Sequence, residues 1–152
     1  MNIKAALNEE KSSAIVVSFD ATWEPLLNTD AVHHVFRKRG PANLDVKWIY
    51  VYMGSPIKAL VGRLPVSSVQ KLSIKDALNL ALDGAIEYSE LKKYAIGYLS
   101  LYVFDVGKYE KCKKHISYVE LNNKYNFHPP QSFLYVSKNG HDELNTICGF
   151  LN

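Results

Sequence analysis

Residues 32–63 read V-H-H-V-F-R-K-R-G-P, a short loop, K-W-I-Y-V-Y, and after a turn S-P-I-K-A-L-V-G-R. The run Trp48-Ile49-Tyr50-Val51-Tyr52 is apolar and made of aromatic and β-branched residues. It is too short to cross a bilayer and suits a buried strand. Arg37, Lys38 and Arg39 stand before it; Lys58 and Arg63 stand after it. A cationic rim around a rigid strand is a way to hold an anion, most simply a nucleic-acid backbone.

Working outward, Ala14-Ile15-Val16-Val17-Ser18-Phe19 is a second short β-branched run and reads as a buried strand. Residues 1–13 are polar and read as a flexible lead-in. Asp20 or Thr22 suits the cap of a short helix through Trp23, with Pro25 tolerated in its first turn. Residues 31–37, 46–53 and 58–69 read as strands, with Pro65 implying a bulge or an edge. Ser73-x-x-Asp76 opens a helix whose apolar face is Ile74, Ala77, Leu78, Ala81 and Leu82, stopped by Gly84. A second helix spans 88–94, a long strand 95–106, a polar connector 108–115 and a third helix 118–125. Pro129-Pro130 leads into a strand over 131–136, Asn139-Gly140 reads as a turn, and the tail from 141 suits a helix or an edge strand. Strands dominate, and the helices are too few for a βαβ array. The expectation is an α+β fold: a small, mixed, mainly antiparallel barrel with two or three helices around it.

The chain has 152 residues, with 18 Lys and Arg against 15 Asp and Glu, for a net charge of +3. That length fits one domain, expected over 14–152. The mild positive charge does not by itself demand a nucleic-acid partner; only its distribution argues for one. The two cysteines, Cys112 and Cys148, lie far apart, with no signal peptide ahead of them. They suggest a reducing, cytoplasmic setting in which a disulfide is possible but unneeded. There is no apolar run of membrane-spanning length.

Three segments in order, V-F-R-K-R at 35–39, I-Y-V-Y with S-P-I-K-A-L-V-G over 49–62, and F-H-P-P-Q-S-F-L-Y-V at 127–136, resemble the ASCH branch of the PUA-like superfamily. The resemblance covers about residues 15–136. It implies a small barrel with helices, and a cleft for RNA or a modified nucleotide. Relatives often carry a G-x-K-x-x-E-x-R pattern into the arginine strand, and family amidohydrolases rely on a Lys, Thr and Glu set. Aligned on Arg37, this chain has Asp30 at the Gly, Val32 at the Lys and Val35 at the Glu. Valine neither accepts a proton nor attacks a carbonyl, so that chemistry is not expected to carry over.

The residues expected at a nucleic-acid-binding cleft are therefore Arg37, Lys38, Arg39, Trp23, Tyr52, Lys58, Arg63, Gln131 and Ser132. Arginine grips phosphate or a base edge with its fork, and aromatic rings stack on bases. Against this, charge runs are commonly solvated, and strand aromatics are commonly core. Tyr50, Tyr52 and Trp48 share one face, which is either core or cleft floor. His33 and His34 point opposite ways on a strand and cannot easily serve one site. Cys112-x-x-His115 has ligand-like spacing but no second pair nearby. The sequence implies no cofactor or metal, and the oligomeric state is not written in it. Two alternatives stand beside a binding domain: an ASCH-type hydrolase or ribonuclease with lysines, Tyr50 or His34 in place of the missing groups, and a protein-interaction domain.

Overall fold

The computed structural model describes residues 2–6, 10–42 and 44–150. Residues 1 and 7–9 of the expected lead-in, residue 43 of the loop before the central strand and residues 151–152 of the tail lie outside them. In chain order the elements are β1 (Lys11–Phe19), a 3-10 turn with α1 (Glu24–Leu27), β2 (His34–Arg37), β3 (Trp48–Met53) and β4 (Ala59–Ser73). After these come α2 (Ile74–Leu78), a second 3-10 turn, α3 (Tyr88–Tyr94), β5 (Ser100–Val106), β6 (Glu110–Ser117), α4 (Tyr118–Tyr125), β7 (Leu134–Ser137) and α5 (Lys138–Cys148).

The seven strands form one mixed sheet in the order β2-β5-β4-β3-β1-β7, with β6 on the free side of β4. β1 and β3 run parallel, Val16 opposite Tyr50. The other pairings are antiparallel. Among the described residues β2 does not pair with β7, so the sheet is not closed into the expected barrel. Five helices pack on it, against the two or three expected.

β4 is the spine. Its 15 residues pair first with β3, Trp48 opposite Pro65, and then with β5, Val69 opposite Phe104. The register shifts between Val66 and Ser68, just after Pro65, as a bulge does where a strand bends. One strand thus serves two half-sheets.

Both faces of the central strands are buried, which is why their sequences run continuously apolar. Ile15, Val17, Phe19, Ile49, Val51 and Met53 enter one core with Val35, Val69 and Phe104. Ala14, Val16, Tyr50 and Tyr52 enter a second, closed by Leu121 and Tyr125 of α4 and Leu144 and Cys148 of α5. Each fully buried Ile or Leu in these layers contributes about 1.5–3 kcal/mol. A third cluster joins Phe36, Leu101 and Val103 to Leu91 of α3 and Ala77 of α2.

Local signals explain most boundaries. Asp20 accepts from Thr22 N at 3.0 Å and Ser73 from Asp76 N at 3.2 Å, as N-caps do. Three expectations change. Residues 108–115 are not a plain connector: β6 alternates buried Cys112 and Ile116 with exposed lysines, as an edge strand does. Residues 95–99 are a loop, exposed from Ile96 to Leu99 with Ala95 buried and Gly97 at φ 87°, and not the start of β5. Asn139-Gly140 lies in the first turn of α5, where Ser137 accepts from Gly140 N at 2.9 Å. A Cβ at Gly140 would lie 2.8 Å from the Ile3 carbonyl oxygen, so glycine lets the N-terminal segment lie against the helix.

Cys112 and Cys148 are free thiols brought together at Sγ–Sγ 2.6 Å between β6 and α5. The neighbouring Cys148 thiol and burial push the Cys112 pKa up, which keeps it protonated.

Candidate functional site

Arg37 ends β2 with its guanidinium half-buried. Nη1 donates to Phe36 O at 2.8 Å, Nη2 reaches Ser18 O at 3.4 Å, and Cζ lies 4.6 Å from the Phe19 ring centre. These two bonds, with a side-chain hydrogen bond to Tyr94, hold the fork in place. Burial lowers the Arg37 pKa, and Tyr94 opposes that. An arginine stays charged regardless.

Two hollows meet at this side chain. The first, about 110 Å³, is walled by Phe19, Trp23, Phe36, Arg37, Ile86 and Tyr94, with His34, Val35 and Leu91 completing it. The second, about 300 Å³, is lined by Arg37, Lys38, Arg39, Tyr94, Tyr98, Gln131 and Ser132. Arg37 and Tyr94 belong to both. The first offers flat apolar walls and the second a concentration of cations. Lys38 Nζ sits 4.6 Å from the Tyr94 ring centre and 5.5 Å from that of Tyr98. Its backbone N–H donates to the Tyr94 hydroxyl at 3.2 Å. No Asp or Glu lines either hollow among the described residues.

Of the nine residues expected at a cleft, the structure brings together six: Trp23, Arg37, Lys38, Arg39, Gln131 and Ser132. Lys58 is exposed at the turn between β3 and β4, apart from both hollows. Tyr52 is only 3% exposed, and its ring packs 5.2 Å from Phe127 in the second core. The Trp48, Tyr50 and Tyr52 face is therefore core and not cleft floor.

Arg63 does not belong to a rim. It is 2% exposed, between the rings of Trp48 at 3.7 Å and Phe150 at 4.2 Å. Nη1 donates to Asn145 Oδ1 at 2.8 Å, and Nη2 and Nε donate to Glu110 Oε1 at 3.1 and 3.3 Å. Asn145 Oδ1 also accepts from the Tyr50 hydroxyl, which meets His141 Nδ1 at 2.9 Å. The guanidinium is the hub of a buried polar network tying β4 and β6 to α5.

That network carries a pH dependence. Burial first, then Arg63, lower the His141 pKa from 6.5, with Asp142 opposing. The unfolded chain binds more protons than the folded one below about pH 6.5, so stability held above that pH is lost as pH falls toward the folded pKa. Urea midpoints are expected to decline on acidification from neutral pH, and His141→Gln to flatten that decline. An equally steep decline in the variant would remove His141 as its source.

The residues that the sequence reading missed are Tyr94, Tyr98 and Phe19. Tyr94 and Tyr98 flank a glycine in Y-A-I-G-Y, a loop signal hidden by its apolar neighbours. His33 and His34 do diverge: His33 is exposed, and His34 lines the first hollow with Nε2 2.7 Å from Asp105 Oδ1. Cys112 is buried against Cys148 and His115 is exposed, so their spacing makes no shared site. Among the described residues no group of three or more His, Cys, Asp or Glu could hold a metal ion.

The mixed sheet with this helix arrangement matches solved structures. The crystal structure of ASCH from Zymomonas mobilis superposes with TM-score 0.79 at 18% identity, covering 89% of this chain and 95% of that one. The chain has the ASCH fold. A tyrosine-to-phenylalanine variant of the Zymomonas mobilis protein matches with TM-score 0.79 at 17% identity, covering 90% and 99%. The N-terminal domain of Staphylothermus marinus McrB matches with TM-score 0.54 at 12% identity, covering 93% and 99%. No protein-family model and no curated protein sequence matches the chain. Within this ASCH fold no helix of the described residues is long and apolar enough to cross a membrane.

Proposed function

We propose that this ASCH-fold chain binds RNA or a nucleotide at the paired hollows around Arg37. The observation that carries this reading is the half-buried guanidinium on the Phe19 ring, shared by an aromatic pocket with Trp23 and a cationic one with Lys38 and Arg39. A base suits the first by stacking, and a phosphate suits the second by charge-assisted hydrogen bonds. Gln131 and Ser132 supply neutral groups able to meet a base edge or a sugar. The absence of carboxylates among the described lining residues supports an anionic ligand.

A second reading is hydrolysis of RNA or of a modified nucleoside. It is favoured by His34, oriented by Asp105 inside the pocket beside Arg37. It requires turnover that His34→Ala abolishes without unfolding.

One experiment separates these. A labelled nucleoside monophosphate and a labelled short RNA are titrated with protein, following fluorescence anisotropy, and the RNA and a panel of modified nucleosides are afterwards checked for hydrolysis. Binding is expected to raise the anisotropy and to weaken steeply with salt. Trp23→Ala is expected to cost about 1–3 kcal/mol of affinity, as loss of one base stack does. Salt-independent binding, or none, would sink the first reading; RNA and nucleosides all left intact would sink the second.

A further inference from the structure

Cys112 of β6 and Cys148 of α5 are the two thiols of the chain, and the function proposed above uses neither. Both are buried, at 4% and 0% exposure, and their sulfurs are in contact as free thiols. Alone, each would be a small apolar filler. Together they are the one pair of side chains in the sequence able to form a sulfur–sulfur bond, and the fold has brought them to one place from 36 residues apart.

Contacts on both sides hold β6 and α5 in this register. Along β6, Glu110 lies two residues before Cys112, on the same face of the strand, and accepts from Arg63 Nη2 and Nε. Along α5, Asn145 lies three residues before Cys148, on the same side of the helix, and accepts from Arg63 Nη1. The Arg63 guanidinium therefore clamps the two elements one step ahead of the cysteines. Beyond them, Gly149 ends α5 in the left-handed region at φ 77°. A Cβ there would lie 2.7 Å from Lys113 Cδ, so glycine lets the helix end settle on β6. Phe150 N then donates to Asn145 O at 2.9 Å, and its ring covers Arg63.

A metal ion would need more ligands than two sulfurs, and among the described residues no group of three is available. The Arg63 charge nearby also opposes a cation. A disulfide needs only the two sulfurs and a two-electron oxidant.

We propose that Cys112 and Cys148 are a disulfide site, oxidised by hydrogen peroxide to a bond that staples β6 to α5. One sulfur, as thiolate, attacks a peroxide oxygen. The O–O bond breaks, and the departing hydroxide takes up the thiol proton to give a sulfenic acid and one water. The second sulfur then attacks the sulfenic sulfur. The S–O bond breaks, and that hydroxide leaves with the second thiol proton as another water. Two electrons pass from the sulfurs to the peroxide, and the protein loses two hydrogens. Burial and the neighbouring thiol keep Cys112 protonated, so the first step is slow. A small uncharged oxidant suits so enclosed a site, and the same enclosure shields the finished bond from bulkier thiols. The inference is independent of the nucleotide-binding reading.

The test treats the full chain, reduced and then freed of reductant, with excess hydrogen peroxide under native conditions, beside Cys112→Ala and Cys148→Ala. Intact mass, peptide mapping, thiol titration in denaturant and thermal melting read the result. The wild type is expected to lose two hydrogens, to yield a peptide joining residues 112 and 148, and to titrate no thiol. Its Tm is expected to rise by about 5–10 °C, as closing a loop of this length implies. Thiol reductant added in denaturant is expected to restore both thiols, and neither variant to gain stability on oxidation. Mass and mapping of the wild type decide the bond even where a variant folds poorly. Oxygen gained on the cysteines without the joined peptide, links only between molecules, or thiols left intact by prolonged excess peroxide would each overturn the site. A joined peptide with Tm unchanged or lowered would overturn the staple.

Discussion

Arg63→Ala is expected to destabilise the fold by about 3 kcal/mol, read as a lower urea midpoint with circular dichroism confirming the native state before denaturation. The change empties the gap between Trp48 and Phe150 and removes the donor that Asn145 and Glu110 share. Breaking a buried charged pair costs about 3–5 kcal/mol when the partner stays buried. Here Glu110 is 39% exposed and regains water, which lowers that figure. The lost packing of a large, fully buried side chain raises it again. Arg63→Lys keeps the charge but cannot reach Asn145 and Glu110 together with a planar fork, so it too is expected to be less stable than the wild type. A midpoint unchanged in Arg63→Ala would refute the hub described for this side chain.

Arg37→Ala is expected to act in the opposite sense, losing affinity while keeping the fold. The side chain is half-buried at a strand end, and it bonds two backbone carbonyls without anchoring any other core side chain through a charge pair. Loss of a charge-assisted fork on phosphate costs about 1.5–3 kcal/mol, which is roughly ten- to a hundredfold in affinity. Arg37→Lys is expected to recover part of the salt dependence but little of the affinity, because an ammonium is a point charge without the paired donors. Titration of a labelled short RNA into the three proteins checks this, with thermal melts alongside. Unchanged affinity in Arg37→Ala, with native melting, would move the site elsewhere.

The sequence announces its strands where both faces are apolar and its helices α2 and α4 where a serine cap is present, while α3 forms with no side-chain cap bond. Helices α3 and α4 begin and end where their residues place them, and the Ser73 cap forms as its spacing implies. β6 escapes a polarity reading because only Cys112 and Ile116 face inward, four residues apart among lysines. Residues 95–99 mislead in the other direction: Ile96 and Leu99 are 74% and 93% exposed, although their composition suits a strand. At the site, V-F-R-K-R and P-P-Q-S converge on one wall from opposite ends of the chain. Arg63 could not have been assigned from its own neighbours. Its cross-strand partner Tyr50 lies on the face that α5 covers, and Asn145 of that helix arrives 82 residues later.

The pairing of β1 with β7 has a bearing on how the molecule is made. A ribosome delivers β1 long before its neighbour, residues 134–137. Until then the nascent chain carries the apolar Ala14–Val17 stretch with one edge open, a template for unwanted partners. The strand is thus made well before the edge that shields it, and for that interval the growing polypeptide exposes an unpaired apolar edge.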